Sequence, residues 1–246
     1  MFHANSPLLV GALLVGALLA GLVAGAAYKA RALTRSGAWA AWAIGTVVFG
    51  IGGWGAAAAL LTFFGTSTAL SRWRRARKEA LGYEKGGRRD AWQVLANGGV
   101  AALCLALTPL GLPHGPLLFL AALAAANADT WATEIGSALG GQPYNLRTGQ
   151  KALPGTSGAV SGPGTGAALC GAALLGLFAG SVSAGLIVTA AGFGGALADS
   201  LLGATVQAQW RSPEGPGRWT ERPQPGPPER GWRRLGGLKR ILVLGA

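Results

Sequence analysis

Long apolar runs alternate with short polar segments along most of the chain. Six runs carry few or no charged residues, and they cover residues 7–27, 38–64, 94–112, 116–139, 163–180 and 183–208. A membrane-spanning helix needs about 20 mostly apolar residues. The pattern therefore predicts an all-α protein, a polytopic membrane helical bundle of about six transmembrane segments.

The second run is the irregular one. Four glycines interrupt it near its middle: Gly50, Gly52, Gly53 and Gly55. It either crosses the membrane once or forms two short helices in a re-entrant hairpin, which is tolerated where protein covers the broken backbone. A single span would place the three cations between residues 29 and 35 on the outer side. The pattern leaves both alternatives open.

Composition favours a membrane protein over a soluble domain. Half of the 246 residues are hydrophobic, 12% are charged, and glycine occurs 42 times. Abundant glycine lets helix backbones approach closely, which is how helices associate in lipid. Cys104 and Cys170 lie within apolar runs at no metal-binding or disulfide spacing, so we interpret them as small apolar side chains.

The formal charge of +12 follows from where the basic residues lie. All 21 lysines and arginines fall between or after the apolar runs, as expected when positive loops stay on the cytoplasmic face. We therefore expect an integral protein of the bacterial plasma membrane whose basic loops face the cytoplasm. Membrane lipids are the expected partners. Nucleic acid is not, because no aromatic-rich soluble module accompanies the charge.

The apolar runs and the basic segment that follows them divide the chain into two regions. Residues 1–208 are predicted to form a transmembrane catalytic domain. Residues 209–246 are rich in proline, glycine and arginine and have no helical period, so we predict a tail that is disordered or bound to the membrane surface.

The segment at residues 71–93 is strongly basic, with tryptophan and tyrosine interspersed. One interpretation is an interfacial segment lying on anionic lipid. The other is that Arg88 and Arg89 reach into a phosphate-binding site. The two interpretations are compatible.

Three acidic residues lie inside apolar runs: Asp129, Glu134 and Asp199. An ionisable group at such a position costs roughly 2.5–3.5 kcal/mol and marks a functional site by default. All three fall near the predicted cytoplasmic ends of their runs. Mg²⁺ prefers carboxylate oxygens and substrate phosphates as ligands, so we predict that these acids form a Mg²⁺ site. The alternative is structural pairing with arginines or neighbouring helices.

The spacing of the first two acids complicates that prediction. Five residues along a regular helix separate Asp129 and Glu134 by about 140°, whereas Asn127 and Glu134 share a face. Both acids could therefore line one site only if the site wraps around the helix end or the helix is broken.

A loop rich in glycine follows, with the sequence R-T-G-Q-K-A-L-P-G-T-S-G at residues 147–158. Arg147 and Lys151 are its cations. Amides and hydroxyls come from four further residues: Gly155, Thr156, Ser157 and Gly158. If this stretch opens the fifth helix, its amides favour anions, which predicts phosphate binding. It is not a P-loop, since its glycines follow the lysine and no strand precedes it. A flexible connector is the alternative.

The two histidines, His3 and His114, are predicted to lie far from the acids, which excludes a Ser-His-Asp arrangement. Asn97, at the start of the third run, is a further candidate for the phosphate site.

Five ordered motifs resemble the DUF92 integral-membrane family. They are G-T-S-T-A-L-S-R at 65–72, G-G-R-R-D-A-W-Q-V-L-A-N-G at 86–98, N-A-D-T-W-A-T-E-I-G at 127–136, the loop at 147–158, and A-D-S-L-L-G-A-T-V-Q at 198–207. The family includes the transmembrane protein 19 group and the phytyl-phosphate kinases of tocopherol synthesis. Its members usually continue into another helix with an N-D-x-V-N-like motif, whose place residues 209–246 take here.

The resemblance implies transfer of a nucleotide's γ-phosphoryl group to an isoprenyl monophosphate, giving the diphosphate. It implies an isoprenoid lipid phosphate as acceptor and a nucleotide, CTP or ATP, as donor, and Mg²⁺ is the cofactor expected from the three acids. Two other functions use the same features. A cytidylyltransferase acting on a lipid phosphate would release pyrophosphate, and a transporter of an anionic or lipid solute would also need buried acids and glycine-broken helices.

Overall fold

A computed structural model describes residues 7–73, 88–152, 156–206, 209–211, 219–220 and 233–236. These residues form seven α-helices: α1 (Pro7–Lys29), α2 (Arg35–Ile51), α3 (Gly53–Trp73), α4 (Ala91–Leu107), α5 (Gly115–Leu139), α6 (Gly162–Gly176) and α7 (Val182–Thr205). The predicted helical membrane bundle is confirmed. Three helical stretches are long and apolar enough to cross a membrane by length and composition alone: Pro7–Lys29, Ala91–Leu110 and Val182–Thr205.

The second apolar run forms two helices rather than one. α2 ends at Ile51, and Gly53 adopts a positive φ of 68° at the start of α3, a conformation that glycine adopts without steric cost. The two helices have 17 and 21 residues, close to the length of a full span. The run is therefore broken, which was one of the two alternatives, but the two helices are not the short ones which that alternative described.

Close contacts show which way the helices run. In the α1–α2 pair, Gly16 lies against Gly50 and the Trp42 indole donates a hydrogen bond to the Ala17 carbonyl. The residue numbers change in opposite directions, so α1 and α2 are antiparallel. Between α5 and α6, Gly136 lies against Gly164, and Trp131 lies against Gly171. The residue numbers again change in opposite directions, so α5 and α6 are antiparallel too.

Other pairs are parallel. Gly37 of α2 lies against the backbone of Arg89, and Gly52 lies near Leu105 at the far end of α4. The helices thus alternate in direction, and the cations between residues 29 and 35 come to lie beside Arg89. We call this end of the molecule the basic end. Those cations therefore lie at the same end of the molecule as the segment before α4, because the break at Gly52 returns the chain.

Large apolar side chains cover the outside of the bundle. On α1, Leu8, Leu18 and Leu22 are each 72% exposed, an arrangement that suits lipid and would be a liability in water. Inside, Phe119 and Leu123 of α5 are almost fully buried. They pack in a cluster with side chains of α2, α3, α4, α6 and α7, which makes α5 the central helix.

Short strands occupy the connections. β1 (Tyr144–Asn145) pairs with β2 (Ala159–Val160) in the loop between α5 and α6. In the expected tail, β3 (Gln209–Arg211) lies between β4 (Trp219–Thr220) and β5 (Arg233–Gly236). The rest of that tail is outside the described residues, so its disorder or surface binding stays a prediction.

Cysteine labelling tests the path of the second run. Ser36→Cys and Trp54→Cys, each placed in a chain lacking Cys104 and Cys170, mark the start of α2 and the start of α3. We expect a membrane-impermeant maleimide to label them from opposite sides of sealed vesicles, since 17 residues of helix span about 25 Å. Labelling of both from one side would show that α2 and α3 re-enter.

Candidate functional site

The polar residues of α5 face three different neighbours. The Asn127 amide donates to the Gly171 carbonyl of α6 at 2.8 Å. Glu134 accepts a 2.8 Å hydrogen bond from Ser71 of α3, and Asp129 faces α7. The helix is unbroken from Gly115 to Leu139, so the 140° offset read from the sequence persists. The acids accordingly divide into two groups on either side of α5.

The first group pairs Asp129 with Asp199. A β-carbon at Gly192 would lie 2.6 Å from the Ala124 β-carbon, and one at Gly195 would lie 2.7 Å from that of Ala125. The residue numbers rise together, so α5 and α7 are parallel. Asp129 and Asp199 each follow the second contact by four residues, about one helical turn.

The two aspartates therefore lie at the same depth, and the negative charge of Asp199 acts on Asp129. Asp129 is partly buried and Asp199 is exposed. Two like charges held together in apolar surroundings repel, and a bound cation relieves that repulsion. This pair can therefore hold a divalent cation and remains open to a ligand.

The second group contains Glu134, which lies between α3 and the segment before α4. Glu134 is 4% exposed and acts electrostatically on Arg89. Burial lowers the pKa of the Arg89 guanidinium and the Glu134 carboxylate opposes that shift, and an arginine stays protonated in either case. The structure therefore brings Glu134 together with Arg89 rather than with the aspartates.

Arg89 is held in place by its own backbone. Its amide donates to the Ala32 carbonyl and its carbonyl accepts from the Thr34 amide, both at 2.9 Å. The side chain reaches inward, with one guanidinium nitrogen 3.4 Å from the Thr68 hydroxyl and its central carbon 5.5 Å from the Phe64 ring centre. Asp90, next in the chain, caps α4 and forms a capping box with Gln93.

Two polar side-chain atoms on α3 and α5 are buried without a hydrogen-bond partner among the described residues. They are the Ser67 hydroxyl and the Asn127 side-chain oxygen, both on residues that are 0% exposed. Such atoms are costly unless a ligand or water satisfies them. Sequence reasoning did not single out Ser67, Thr68 or Ser71. Their presence in the motif at residues 65–72 was the available signal.

The structure does not bring all three acids of the predicted Mg²⁺ site together. Within the described ranges, no group of three or more His, Cys, Asp or Glu side chains is arranged to hold a metal ion. Glu134 is separated from the aspartates because it projects from another face of α5. Asp129 and Asp199 still suit Mg²⁺, which is often held by one or two carboxylates with substrate phosphates completing the shell.

The glycine-rich loop is folded against the end of α7. A β-carbon at Gly158 would clash with the Ala204 backbone, and Gly158 has a positive φ of 73°. The Gly158 carbonyl accepts a 3.0 Å hydrogen bond from Leu146. The Thr156 hydroxyl is buried with no partner among the described residues. These contacts argue against a flexible connector in this part of the loop.

The predicted anion binding by this loop assumed that the loop forms the start of the next helix. The structure shows that it does not. α6 begins at Gly162 and the Ser161 hydroxyl already accepts from the Gly164 amide. Arg147 and Lys151 are exposed at the same end of the molecule. Ser157 is partly buried, and Gly155 lies outside the described residues.

The remaining candidates lie on the other side of α5. Asn97 and Arg89 both line an apolar cavity of about 70 Å³ between α1, α2, α3 and α4. Arg88 is exposed, with its guanidinium 5.6 Å from the Tyr28 ring centre. His114 precedes α5 at the end away from the acids, and His3 lies outside the described residues.

The fold and the site define a class, the α-helical integral membrane proteins that carry ionisable residues within their spans. Comparison of families gives a narrower result: residues 18–237 match the family described as Integral membrane protein DUF92. The chain belongs to this family, as the motifs indicated. No solved structure matches significantly.

Two relatives with curated sequences are similar to this chain. An uncharacterised membrane protein of Synechocystis is 32% identical over 185 residues, which cover 69% of this chain and 70% of the relative. Protein PGR of Arabidopsis thaliana is 32% identical over 157 residues, 57% of this chain and 54% of the plant protein. Neither name states a catalytic activity.

Proposed function

We propose that the protein is a membrane kinase that transfers the γ-phosphoryl group of a nucleotide to an isoprenyl monophosphate. The observation that carries the proposal is the meeting of Asp129 and Asp199 at one depth, on two parallel helices near the basic end. An oxygen of the acceptor phosphate attacks the γ-phosphorus. The bond from that phosphorus to the β–γ bridging oxygen breaks, and a nucleoside diphosphate leaves.

Asp129 and Asp199 would hold Mg²⁺ in this proposal. The ion would supply charge neutralisation to the nucleotide's phosphates, which is the main requirement of phosphoryl transfer. The exposure of Asp199 leaves that side of the pair open to the nucleotide. Arg147 and Lys151, in the loop beside α7, supply positive charge for the phosphates at the same end of the molecule.

The acceptor needs no strong general base. A phosphate monoester is already ionised near neutral pH, so positioning and charge stabilisation are enough. Arg88 and Arg89, at the basic end, would add positive charge for the acceptor phosphate, which has to lie next to the nucleotide's γ-phosphate for transfer. By the positive-inside rule the basic end faces the cytoplasm, which is where a bacterial enzyme meets its nucleotide.

Activity measurements test the proposal directly. Purified protein is supplied with labelled geranylgeranyl or phytyl monophosphate, Mg²⁺ and CTP, ATP, GTP or UTP in turn. We expect the isoprenyl diphosphate with at least one donor, and no product after chelation of Mg²⁺. If no donor gives the diphosphate, although the protein still shows a cooperative thermal unfolding transition, the proposed kinase activity is contradicted.

The same assay separates the two alternative functions. A cytidylyltransferase releases pyrophosphate and leaves a nucleotide-linked lipid, whereas a transporter moves solute into liposomes without nucleotide. The glycine break that suggested a transporter is a turn between two near-full-length helices, so that observation no longer favours transport.

A further inference from the structure

The connection between α1 and α2 concentrates positive charge on the surface of the basic end. It carries Lys29, Arg31 and Arg35, and all three are exposed. Exposed Arg88 lies over the ring of Tyr28, with its guanidinium carbon 5.6 Å from the ring centre. The Arg35 side chain donates to the hydroxyl of the same tyrosine at 3.4 Å. Two guanidinium groups therefore converge on one tyrosine.

Two other cations at this end already have partners. Arg72 donates to the Ala30 carbonyl at 2.6 Å, just after the end of α1, where a cation suits the unpaired carbonyls of a helix. Arg89 points inward, where the Glu134 carboxylate acts on it. Neither kind of contact accounts for the three exposed arginines on the surface.

The four acids of the described ranges are all placed elsewhere. Asp90 caps α4, and Glu134 accepts a hydrogen bond from Ser71. Asp129 and Asp199 lie between α5 and α7. Within the part of the chain that the structure describes, the arginines around Tyr28 thus have no carboxylate partner. Like charges held close together repel, so a bound anion would stabilise this cluster.

Arg31 occupies a backbone position that usually belongs to glycine. α1 ends in a Schellman motif, in which the Arg31 amide donates to the Tyr28 carbonyl and the Ala32 amide donates to the Ala27 carbonyl. Arg31 has a positive φ of 56°, which is strained for a residue with a β-carbon. Arginine is therefore a poor choice for ending this helix, which indicates that its charge serves another purpose.

Exposed tryptophans mark the depth of the cluster in the membrane. Trp39 near the start of α2, Trp73 at the end of α3 and Trp92 near the start of α4 are 71%, 65% and 64% exposed. These helix ends all lie at the basic end. Tryptophan is enriched where the bilayer meets water. The arginines around Tyr28 accordingly lie at the level of the lipid head groups, where phosphate is the abundant anion.

We propose that Arg31, Arg35 and Arg88, together with the Tyr28 hydroxyl, bind the phosphate of an anionic phospholipid in the leaflet at the basic end. Guanidinium groups bind phosphate through paired N–H donors, and a tyrosine hydroxyl that accepts from arginine still has its own proton to donate. A zwitterionic head group brings a cation that these arginines repel, so the site selects a lipid of net negative charge.

This lipid site is independent of the proposed kinase, since it lies on the surface and needs neither nucleotide nor acceptor. Arg88 is the member that also figures in the proposed transfer reaction. Arg31 and Arg35 are therefore the positions to vary.

Lipid selectivity tests the proposal. Purified full-length protein in neutral detergent is titrated with phosphatidylglycerol, with phosphatidylcholine of the same chains, and with inorganic phosphate. Native mass spectrometry and the melting temperature report binding. We expect phosphatidylglycerol to bind at least about tenfold more tightly than phosphatidylcholine, because several cations act together. Equal binding of phosphatidylcholine overturns the proposal, and displacement of the lipid by an equal concentration of inorganic phosphate would show a site for a free anion instead.

Arg31→Gly separates lipid binding from a structural role. Glycine suits the positive φ, so the lipid-free protein should melt at the same temperature or higher. Phosphatidylglycerol should bind about fivefold more weakly, the scale of one cation near an anionic membrane surface. Arg35→Gln should have a similar effect on binding. Unchanged binding in both variants overturns the proposal.

Arg147→Gln is the matched control. It removes one exposed cation from the same end of the molecule, in the loop after α5, and should change phosphatidylglycerol binding less than twofold. A loss equal to that of Arg31→Gly would show general attraction to the membrane surface and would refute a defined site.

A photoreactive head group on phosphatidylglycerol gives a result in the unmodified protein. Cross-links are expected in peptides that contain residues 28–35 or 88–92. Cross-links confined to the loop at residues 144–160 contradict the assignment, whatever the outcome of the kinase assay.

Discussion

Asp129→Asn is expected to reduce the rate of diphosphate formation by at least about 10²-fold, the scale seen when one group that stabilises transition-state charge is removed. The substitution keeps the size of the side chain and removes one carboxylate of the pair at the α5–α7 interface. Turnover at saturating acceptor and varied Mg²⁺ measures the effect. Expression and thermal stability should not fall, since the change relieves repulsion between two acids.

Comparison with the other acids sharpens this test. Asp199→Asn should resemble Asp129→Asn, and the double variant should be little worse than either, because residues that act as one unit have non-additive effects. Glu134→Gln should instead alter the apparent affinity for the acceptor and leave the Mg²⁺ dependence unchanged. Full activity of Asp129→Asn, or a Mg²⁺ dependence that shifts with Glu134→Gln alone, would place the metal elsewhere.

Gly192→Leu is expected to cause a large loss of both stability and activity. Its side chain would meet the backbone of Ala124 and Ala125 on α5, and overpacking of this kind costs roughly 1–3 kcal/mol. Forcing α7 away from α5 also separates Asp129 from Asp199. The melting temperature in detergent and the rate of diphosphate formation measure the two effects.

Gly194→Leu provides the control on the same helix. Gly194 is exposed, and a β-carbon there has no neighbour within 4 Å, so leucine would extend into lipid. We expect near-normal melting and turnover. Equal behaviour of the two variants would mean that close packing at Gly192 does not hold the aspartates together.

Hydropathy predicted the helices well because a spanning helix must be apolar over most of its length. Hydropathy could not decide the path of the second run, because a glycine-interrupted stretch has the same hydropathy pattern whether the chain turns back or continues. The contact of residues 32–34 with Arg89 resolves this. That contact joins segments more than fifty residues apart, and no local pattern encodes it.

The candidate site was predictable residue by residue but not as an arrangement. Burial cost singled out Asp129, Glu134 and Asp199, and the helical period showed that the first two point apart. Their partners depend on which helices pack around α5, which the sequence pattern does not reveal. For the same reason Ser71, an ordinary polar residue near a helix end, gave no sign that it binds Glu134.

The central position of α5 also bears on how the protein is made. Ser71 leaves the ribosome before Glu134, so a hydrogen-bond partner for Glu134 is already present when α5 enters the membrane. Asp199 follows Asp129 by 70 residues, which contain the end of α5, the loop, α6 and most of α7. During synthesis one half of the site can therefore assemble at once, while the other must wait for the last helix to insert.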